Sequence, residues 1–264
     1  MPVLPAANST HIFFEGRQDG YMNRQLIRAA VLVLSFILMS VSFMYISPYV
    51  MMMGLLNGVI TAALIFWIAA FLITLIFGRA FCGYLCPMGA EQELTDRAVR
   101  IPLKPVAYLR YLKYLLAVLW VGGAVFLAAA AGTLILNPLY GMGSGLPPWP
   151  PAAYLFLYGM MIGVFMIVLI LGKRGMCNYL CPMSVVFMAI SLIKNRLRIP
   201  SLHLESEPDT CIKCKKCTSS CPMSLPVQEM TGVKAMQEPE CILCGNCVDA
   251  CPKKVIRFAW RWKK

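Results

Sequence analysis

The chain has 264 residues, 59% of them hydrophobic and only 14% charged, with a formal net charge of +12. A soluble domain usually carries about 25% charged residues, so an ordinary water-soluble enzyme is excluded. Disorder is excluded too, because it needs low hydrophobicity.

In chain order, the first segment, 1–26, lacks a continuous apolar run followed by a small-residue cleavage site. It is expected to be a cytoplasmic N-terminal segment, not a signal peptide. Residues 29–78 then hold 50 positions without one Asp, Glu, Lys or Arg, and residues 114–172 hold 59 more. At about 1.5 Å per residue, each window is roughly 75–90 Å of helix, or two crossings of a core about 30 Å thick. Four spans are predicted, near 27–46, 59–77, 112–136 and 153–171. The loops between the spans of each pair are rich in breakers: Pro48 and Gly54 in one, Pro138, Gly141, Gly143, Gly145, Pro147, Pro148 and Pro150 in the other. Tyr140 and Trp149 read as interfacial anchors.

The basic residues sort onto one side of this layout. Arg17, Arg24 and Arg28 precede the first span; Arg79, Arg97, Arg100, Lys104, Arg110 and Lys113 lie between the second and third; the rest begin at Lys173, after the fourth. The two opposite loops have none. This positive-inside pattern predicts a multi-pass protein of a prokaryotic cytoplasmic membrane with both termini in the cytoplasm. It also accounts for the basicity without nucleic acid, since no separate basic domain with reading aromatics exists.

The membrane part, 27–200, contains a repeat. Arg79-Ala80-Phe81-Cys82-Gly83-Tyr84-Leu85-Cys86-Pro87-Met88 follows the second span, and Arg174-Gly175-Met176-Cys177-Asn178-Tyr179-Leu180-Cys181-Pro182-Met183 follows the fourth. Each is followed in turn by Arg-Ile-Pro, at Arg100-Ile101-Pro102 and Arg198-Ile199-Pro200. Two spans per unit give both copies the same orientation, so the repeat is parallel. It brings the two cysteine pairs towards each other at the cytoplasmic face. Cysteines at i and i+4 share one face of a helix, although the proline after each pair favours a break. Cys82, Cys86, Cys177 and Cys181 are candidates for a further metal or iron–sulfur site. A redox dithiol and a structural role are the alternatives; a permanent disulfide is disfavoured in a reducing compartment.

The tail, 201–264, carries Cys211-x2-Cys214-x2-Cys217-x3-Cys221-Pro222 and Cys241-x2-Cys244-x2-Cys247-x3-Cys251-Pro252. Each is the complete bacterial ferredoxin run, in which the fourth cysteine ligates the other cluster. The spacing therefore predicts one [4Fe–4S] cluster on Cys211, Cys214, Cys217 and Cys251, and a second on Cys241, Cys244, Cys247 and Cys221. A zinc ribbon needs two C-x2-C pairs across a longer loop and does not suit this spacing. Crossed ligation staples a tail too short to bury much core. Ile212, Ile242, Leu243 and Val248 are expected to shield the clusters, and Val255-Ile256-Arg257-Phe258 to form a strand. Lys213, Lys215 and Lys216 either form a solvated face, raise the nearby potential, or dock an acidic partner.

Four spans, two C-x3-C-P motifs and a C-terminal dicluster run resemble the NapH/MauN-type membrane polyferredoxins, from Arg24 to Phe258. The resemblance implies a four-helix membrane domain of two parallel hairpins with a small α+β ferredoxin-like domain. It also implies an oxidoreductase subunit passing electrons between a quinone or quinol pool and a protein partner, such as another iron–sulfur protein. Glu91, Glu93 and Asp96 follow the first motif and are candidates for handling quinol protons; pairing with Arg97 and Arg100 is the plainer expectation. Metal handling, of copper for example, is the rival function: there are 18 methionines, among them Met51-Met52-Met53, Met88 and Met183, and soft sulfur ligands suit Cu(I). A redox sensor or scaffold is a further alternative. His11 and His203 are the only histidines and lie outside the spans, so bis-His haem is not expected. No nucleotide-binding loop is present, and Gly141-x-Gly143-x-Gly145 reads as a turn.

Overall fold

The structure, a computed structural model, describes residues 21–99, 101–141, 149–197, 199–233 and 235–260. His11, Arg17, Arg100, Arg198, Gly143, Gly145, Pro147 and Pro148, all named above, lie outside the described residues.

Helix α1 (Tyr21–Ile37) runs into α2 (Met39–Ile46) almost without a break: Leu38 N donates to Leu34 O and Ser42 N to Leu38 O, both at 2.9 Å. Extended Ser47 ends that run, and Pro48 opens α3 (Pro48–Leu56) at a position where its missing N–H costs nothing. The expected loop at this point is therefore a helix, and it buries Val50, Met51 and Leu55. Among the described residues, three stretches are long and apolar enough to cross a membrane: Met39–Leu56, Tyr108–Ala130 and Pro151–Leu171. The first of these is not the expected 27–46; it lies further along and passes through the Ser47–Pro48 junction.

Strand β1 (Val59–Ile60) takes the first residues of the expected second span, and α4 (Ala62–Phe77) keeps 16 of them. That helix is apolar but rises only about 24 Å. A five-residue piece, α5 (Ala80–Tyr84), and a 13-residue helix, α6 (Pro87–Val99), follow, and then α7 (Ala107–Ala130). Helix α7 starts and stops earlier than expected, because Gly132 with φ +67° turns the chain into β2 (Ile135–Leu136), which pairs in parallel with β1. Helix α8 (Pro151–Leu171), α9 (Gly175–Tyr179) and α10 (Pro182–Arg196) repeat the pattern of α4, α5 and α6. Trp149 does not face lipid as an anchor would. It is buried, and its indole donates to Ser40 O at 2.9 Å.

The two halves interlock. Helix α6 packs on α1 and on α8 of the other half; α10 packs on α7 and on α4 of the other half. The segments after α6 and α10 cross the end of the same foreign helix. Lys104 N donates to Leu171 O at 2.9 Å and Lys173 N to Ile101 O at 3.0 Å, while Leu202 N donates to Ile76 O at 2.8 Å. Between the halves sit Trp67, Phe71, Phe81 and Phe187, with ring centroids 5.2 to 6.2 Å apart.

The tail is a three-stranded antiparallel sheet, β3 (His203–Ser206), β4 (Ala235–Met236) and β5 (Ile256–Ala259), in the order β4-β3-β5. Short helices α11 (Lys216–Ser219), α12 (Val227–Met230) and α13 (Asn246–Asp249) cover it. The expected strand is β5, shifted by one residue; β3 and β4 were not foreseen. Ile242, Leu243 and Val248 are buried as expected, whereas Ile212 is 57% exposed although it lines a cavity together with the cysteines of the first run.

Gly172 tests the interlock. It has φ +92°, and a Cβ there would lie 2.2 Å from Pro102 O. Gly172→Ala is expected to cost about 2 kcal/mol or more in thermal melts of the detergent-solubilised protein. Gly122→Ala, at a site with nothing within 4 Å, is the matched control and is expected to be neutral.

Candidate functional site

Each C-x3-C-P motif has the same local form. Cys82 lies in α5, Cys86 in the break behind it, and Pro87 opens α6; Cys177 lies in α9, Cys181 caps α10, and Pro182 opens it. The i, i+4 pair is thus split across a break, and the proline starts a new helix instead of ending one. The interlocked halves then bring both pairs to one place. Cys82, Cys86, Cys177 and Cys181 all line a cavity of about 160 Å³. Its apolar walls include Phe43, Trp67, Phe81 and Phe187.

Two smaller cavities, each about 20 Å³, lie in the tail. One is lined by Cys211, Cys214, Cys217 and Cys251, the other by Cys221, Cys241, Cys244 and Cys247. Each set joins three cysteines of one run to the last cysteine of the other. Ile242 lines both the second-run cavity and the cavity of the membrane part. Among the described residues, no three Cys, His, Asp or Glu side chains converge as ligands of a single ion. A cubane makes no such demand, since it spreads its four thiolates over separate irons.

Buried charge surrounds the four-cysteine cavity. Arg79 and Arg174, the arginines of the two motifs, are each 1% exposed. Arg174 donates to Cys82 O at 2.9 Å and pairs with Glu93. Arg28 pairs with the same carboxylate and donates to Gly83 O at 2.8 Å. Arg79 donates to Pro239 O at 2.9 Å and stands 3.6 Å from Glu240, which also receives Lys113 Nζ at 2.5 Å. Four cations thus face two carboxylates, which leaves a surplus of two positive charges. Arg79 Nε and Arg174 Nε have no hydrogen-bond partner among the described residues. Unmatched buried cations are costly, and the net negative charge of a thiolate-bound cubane fits what this cavity lacks. Gln92, fully buried, donates from Nε2 to Cys177 Sγ at 3.3 Å. Such contacts to a ligand sulfur raise a cluster's potential. At the equivalent place, 95 residues on, stands Phe187, so the two halves are not electronically alike.

The tail is fastened through its second run. Gly83 is required there, because a Cβ would lie 2.4 Å from Ile242 O. Arg24 pairs with Asp249 and stacks over Phe258 at 5.0 Å, and Gln25 donates to Cys244 O at 3.1 Å.

Comparison with known proteins follows the same division. A 4Fe-4S binding domain model matches residues 59–105 and again 153–200, and a 4Fe-4S dicluster domain model matches 203–252. YccM of Escherichia coli (strain K12), whose name describes an electron transport protein, is 26% identical over 198 residues, 72% of this chain and 54% of its own. The methylamine utilization ferredoxin-type protein MauN of Methylorubrum extorquens is 26% identical over 187 residues, 66% of this chain and 59% of its own. The two 4Fe-4S models and these relatives together support a place among the NapH/MauN-type polyferredoxins. An uncharacterized protein of Methanocaldococcus jannaschii, MJ0750, is 27% identical over 176 residues, 60% of this chain and 64% of its own length. This chain thus spans less than two thirds of each of these relatives. No solved structure matches it.

The acidic residues after the first motif divide. Glu93 holds Arg28 and Arg174 and not Arg97, and although burial opposes it, those two guanidiniums keep its carboxyl below the usual range; Arg100 lies outside the described residues. Asp96 is half-buried. Glu91 is buried, its Oε2 has no hydrogen-bond partner among the described residues, and burial pushes its carboxyl up to about 7. Arg28, Gln92 and Glu240 carried no sequence signal. Arg79 and Arg174 did, since both are repeated positions of the decapeptide, whereas Gly83 stands where the second copy has Asn178.

Glu91 folds in most favourably as the neutral acid. Its contribution is present at low pH and is lost as pH rises from the ordinary carboxylate range towards about 7. The Glu91→Gln variant is expected to lose that decline, seen as a flatter melting temperature against pH than the parent over the same window. Parallel curves would show that burial does not shift the Glu91 carboxyl.

Proposed function

We propose that this chain is a membrane-anchored electron carrier that passes single electrons between a quinone or quinol pool and a protein partner. The observation that carries it is the row of three four-cysteine cavities, two of them sharing the wall residue Ile242. Cys82, Cys86, Cys177 and Cys181 would hold a centre at the membrane face. Cys241, Cys244, Cys247 and Cys221 would hold the next, and Cys211, Cys214, Cys217 and Cys251 the outermost. Each [4Fe–4S] group, when bound, supplies reversible one-electron chemistry.

The protein's own groups do the rest. Arg79 and Arg174 balance charge in a site that the apolar helices would otherwise make prohibitive. The ring cluster of Trp67, Phe81 and Phe187 keeps water from the sulfurs. Glu91, poised near neutrality, would take up the proton that accompanies a quinol electron. The anchoring we propose has four spans in two parallel hairpins, both termini in the cytoplasm and the inner membrane as location, with segments 1–26, 27–200 and 201–264. Lipid and redox-complex subunits are the partners that this arrangement implies.

A second reading rests on a specific feature. Met39, Met88, Met160, Met176 and Met183 line the same cavity as the four cysteines. Thiolate and thioether suit Cu(I), so the chain would reduce or relay copper with the tail as electron source.

Iron and acid-labile sulfide in anaerobically purified protein separate the two. Three centres require about twelve of each. A value near eight leaves the four-cysteine cavity free of iron, and saturable Cu(I) binding lost in Cys82→Ser then favours the copper reading. Cys251→Ser is expected to remove the centre built on the first run, with about four irons lost and the second-run spectrum kept. Loss of the second-run signal alone would overturn the crossed ligation.

A further inference from the structure

The two tail cavities differ in what surrounds them. Apart from its cysteines, the second-run cavity is lined by apolar side chains and Gly245, and it lies on the side fastened to the membrane helices. The first-run cavity has Lys213, Lys215 and Lys253 in its wall and no acidic residue. All three lysines are exposed, as are Lys216 and Lys254 beside them. Lys213 and Lys215 stand at φ +54° and +60°, so left-handed turns, costly for a residue with a Cβ, place them on either side of Cys214. Cys214 is itself exposed, and the side chain of Ile212 lies 57% open next to it. Asp209 and Glu229 are exposed nearby, while Glu207 is engaged by Arg257 at 2.8 Å.

An open cysteine with an apolar side chain beside it, ringed by cations, has the form of a transient electron-transfer contact. Such contacts are small, and charge complementarity gives them speed more than affinity. We infer that this lysine rim docks an acidic, soluble electron-carrier protein against the first-run centre. The inference rests on the electron-transfer reading above and adds the place and the charge of the partner. A lipid surface is the rival occupant of any basic patch. It is disfavoured here because the tail's ties to the membrane helices fall on the opposite run, through Glu240, Ile242, Cys244 and Asp249, and on the strand residue Phe258 and on Leu202 beside the sheet, none of them on the first run.

In the direction assayed, one electron leaves the reduced carrier, which is oxidised, and is accepted at the first-run centre, which is reduced. The probe is a reduced acidic plant-type [2Fe–2S] ferredoxin, mixed by stopped flow with the full chain in zwitterionic nanodiscs. Photoreduced deazaflavin serves as a small neutral reductant. The comparison is with Lys213→Gln/Lys215→Gln/Lys253→Gln. The parent rate with ferredoxin is expected to fall steeply with salt. The triple variant is expected to be at least about tenfold slower at low salt and nearly salt-insensitive, with its deazaflavin rate and its iron unchanged. An equal rate and salt slope in the variant overturns the proposal. So does a loss shared by deazaflavin, which makes the lysines tuners of potential. Unchanged ferredoxin exchange with lost binding to phosphatidylglycerol vesicles overturns it in favour of lipid. Parent protein without iron on the tail overturns the electron-transfer reading along with it, and the iron content identifies that case.

Discussion

Four cysteine sulfurs contributed by two separate hairpins share one apolar cavity, and the rest of the molecule is arranged around that constraint. Buried sulfur that is to hold metal must be thiolate, and buried thiolate needs countercharge. The chain supplies it from within the repeat: Arg79 and Arg174 sit three residues before Cys82 and Cys177. Those arginines cannot stand alone either. Glu93 holds Arg174 and Arg28, and Glu240 holds Arg79 and Lys113. Two ionic clusters therefore tie the parts together, Glu93 joining α1, α6 and the second motif and Glu240 joining the first motif, α7 and the tail, and removing either carboxylate would strand two buried cations.

The Glu240 cluster explains why the tail docks as it does. Glu240 and Pro239 precede Cys241 by one and two residues, so the residues that neutralise Arg79 also deliver the second run to the membrane face. Gly83 lets the Ile242 backbone approach without a side chain between them. The second run is buried against the helices as a result, and the first run is left open. A polarity follows from geometry: one end of the cysteine series faces the apolar helices and the other faces lysines and solvent.

The interlock of the two halves does for the membrane part what the exchanged fourth cysteine does for the tail. In each case an element from one unit completes the other. Helix α6 packs on α8 and α10 on α4, just as Cys221 and Cys251 each line the cavity of the opposite run. Small units that cannot bury a core alone gain cooperativity from such exchange. Polar breaks such as Ser47–Pro48 and the glycine-ended helices are tolerated because the partner half covers them.

The sequence alone determined the chemistry and the repeat. Cysteine spacing is a local property, because three thiols within seven residues can wrap one cubane whatever the surroundings, and seven matching positions of ten at an offset of 95 need no structure to be seen. Apolar windows without charge likewise announced helices, but not their ends: β1 and β2 took residues from two expected spans because Gly58 and Gly132 turn the chain into strands that pair only after the halves meet. Only the tertiary structure decided which residues share a site. Glu93 joined Arg28 and Arg174 instead of its helical neighbours, Gln92 reached a sulfur 85 residues away, Ile212 turned outward and Trp149 inward. Pairings of that kind depend on which faces two helices present to each other, and a single strand of sequence carries no record of the partner's face.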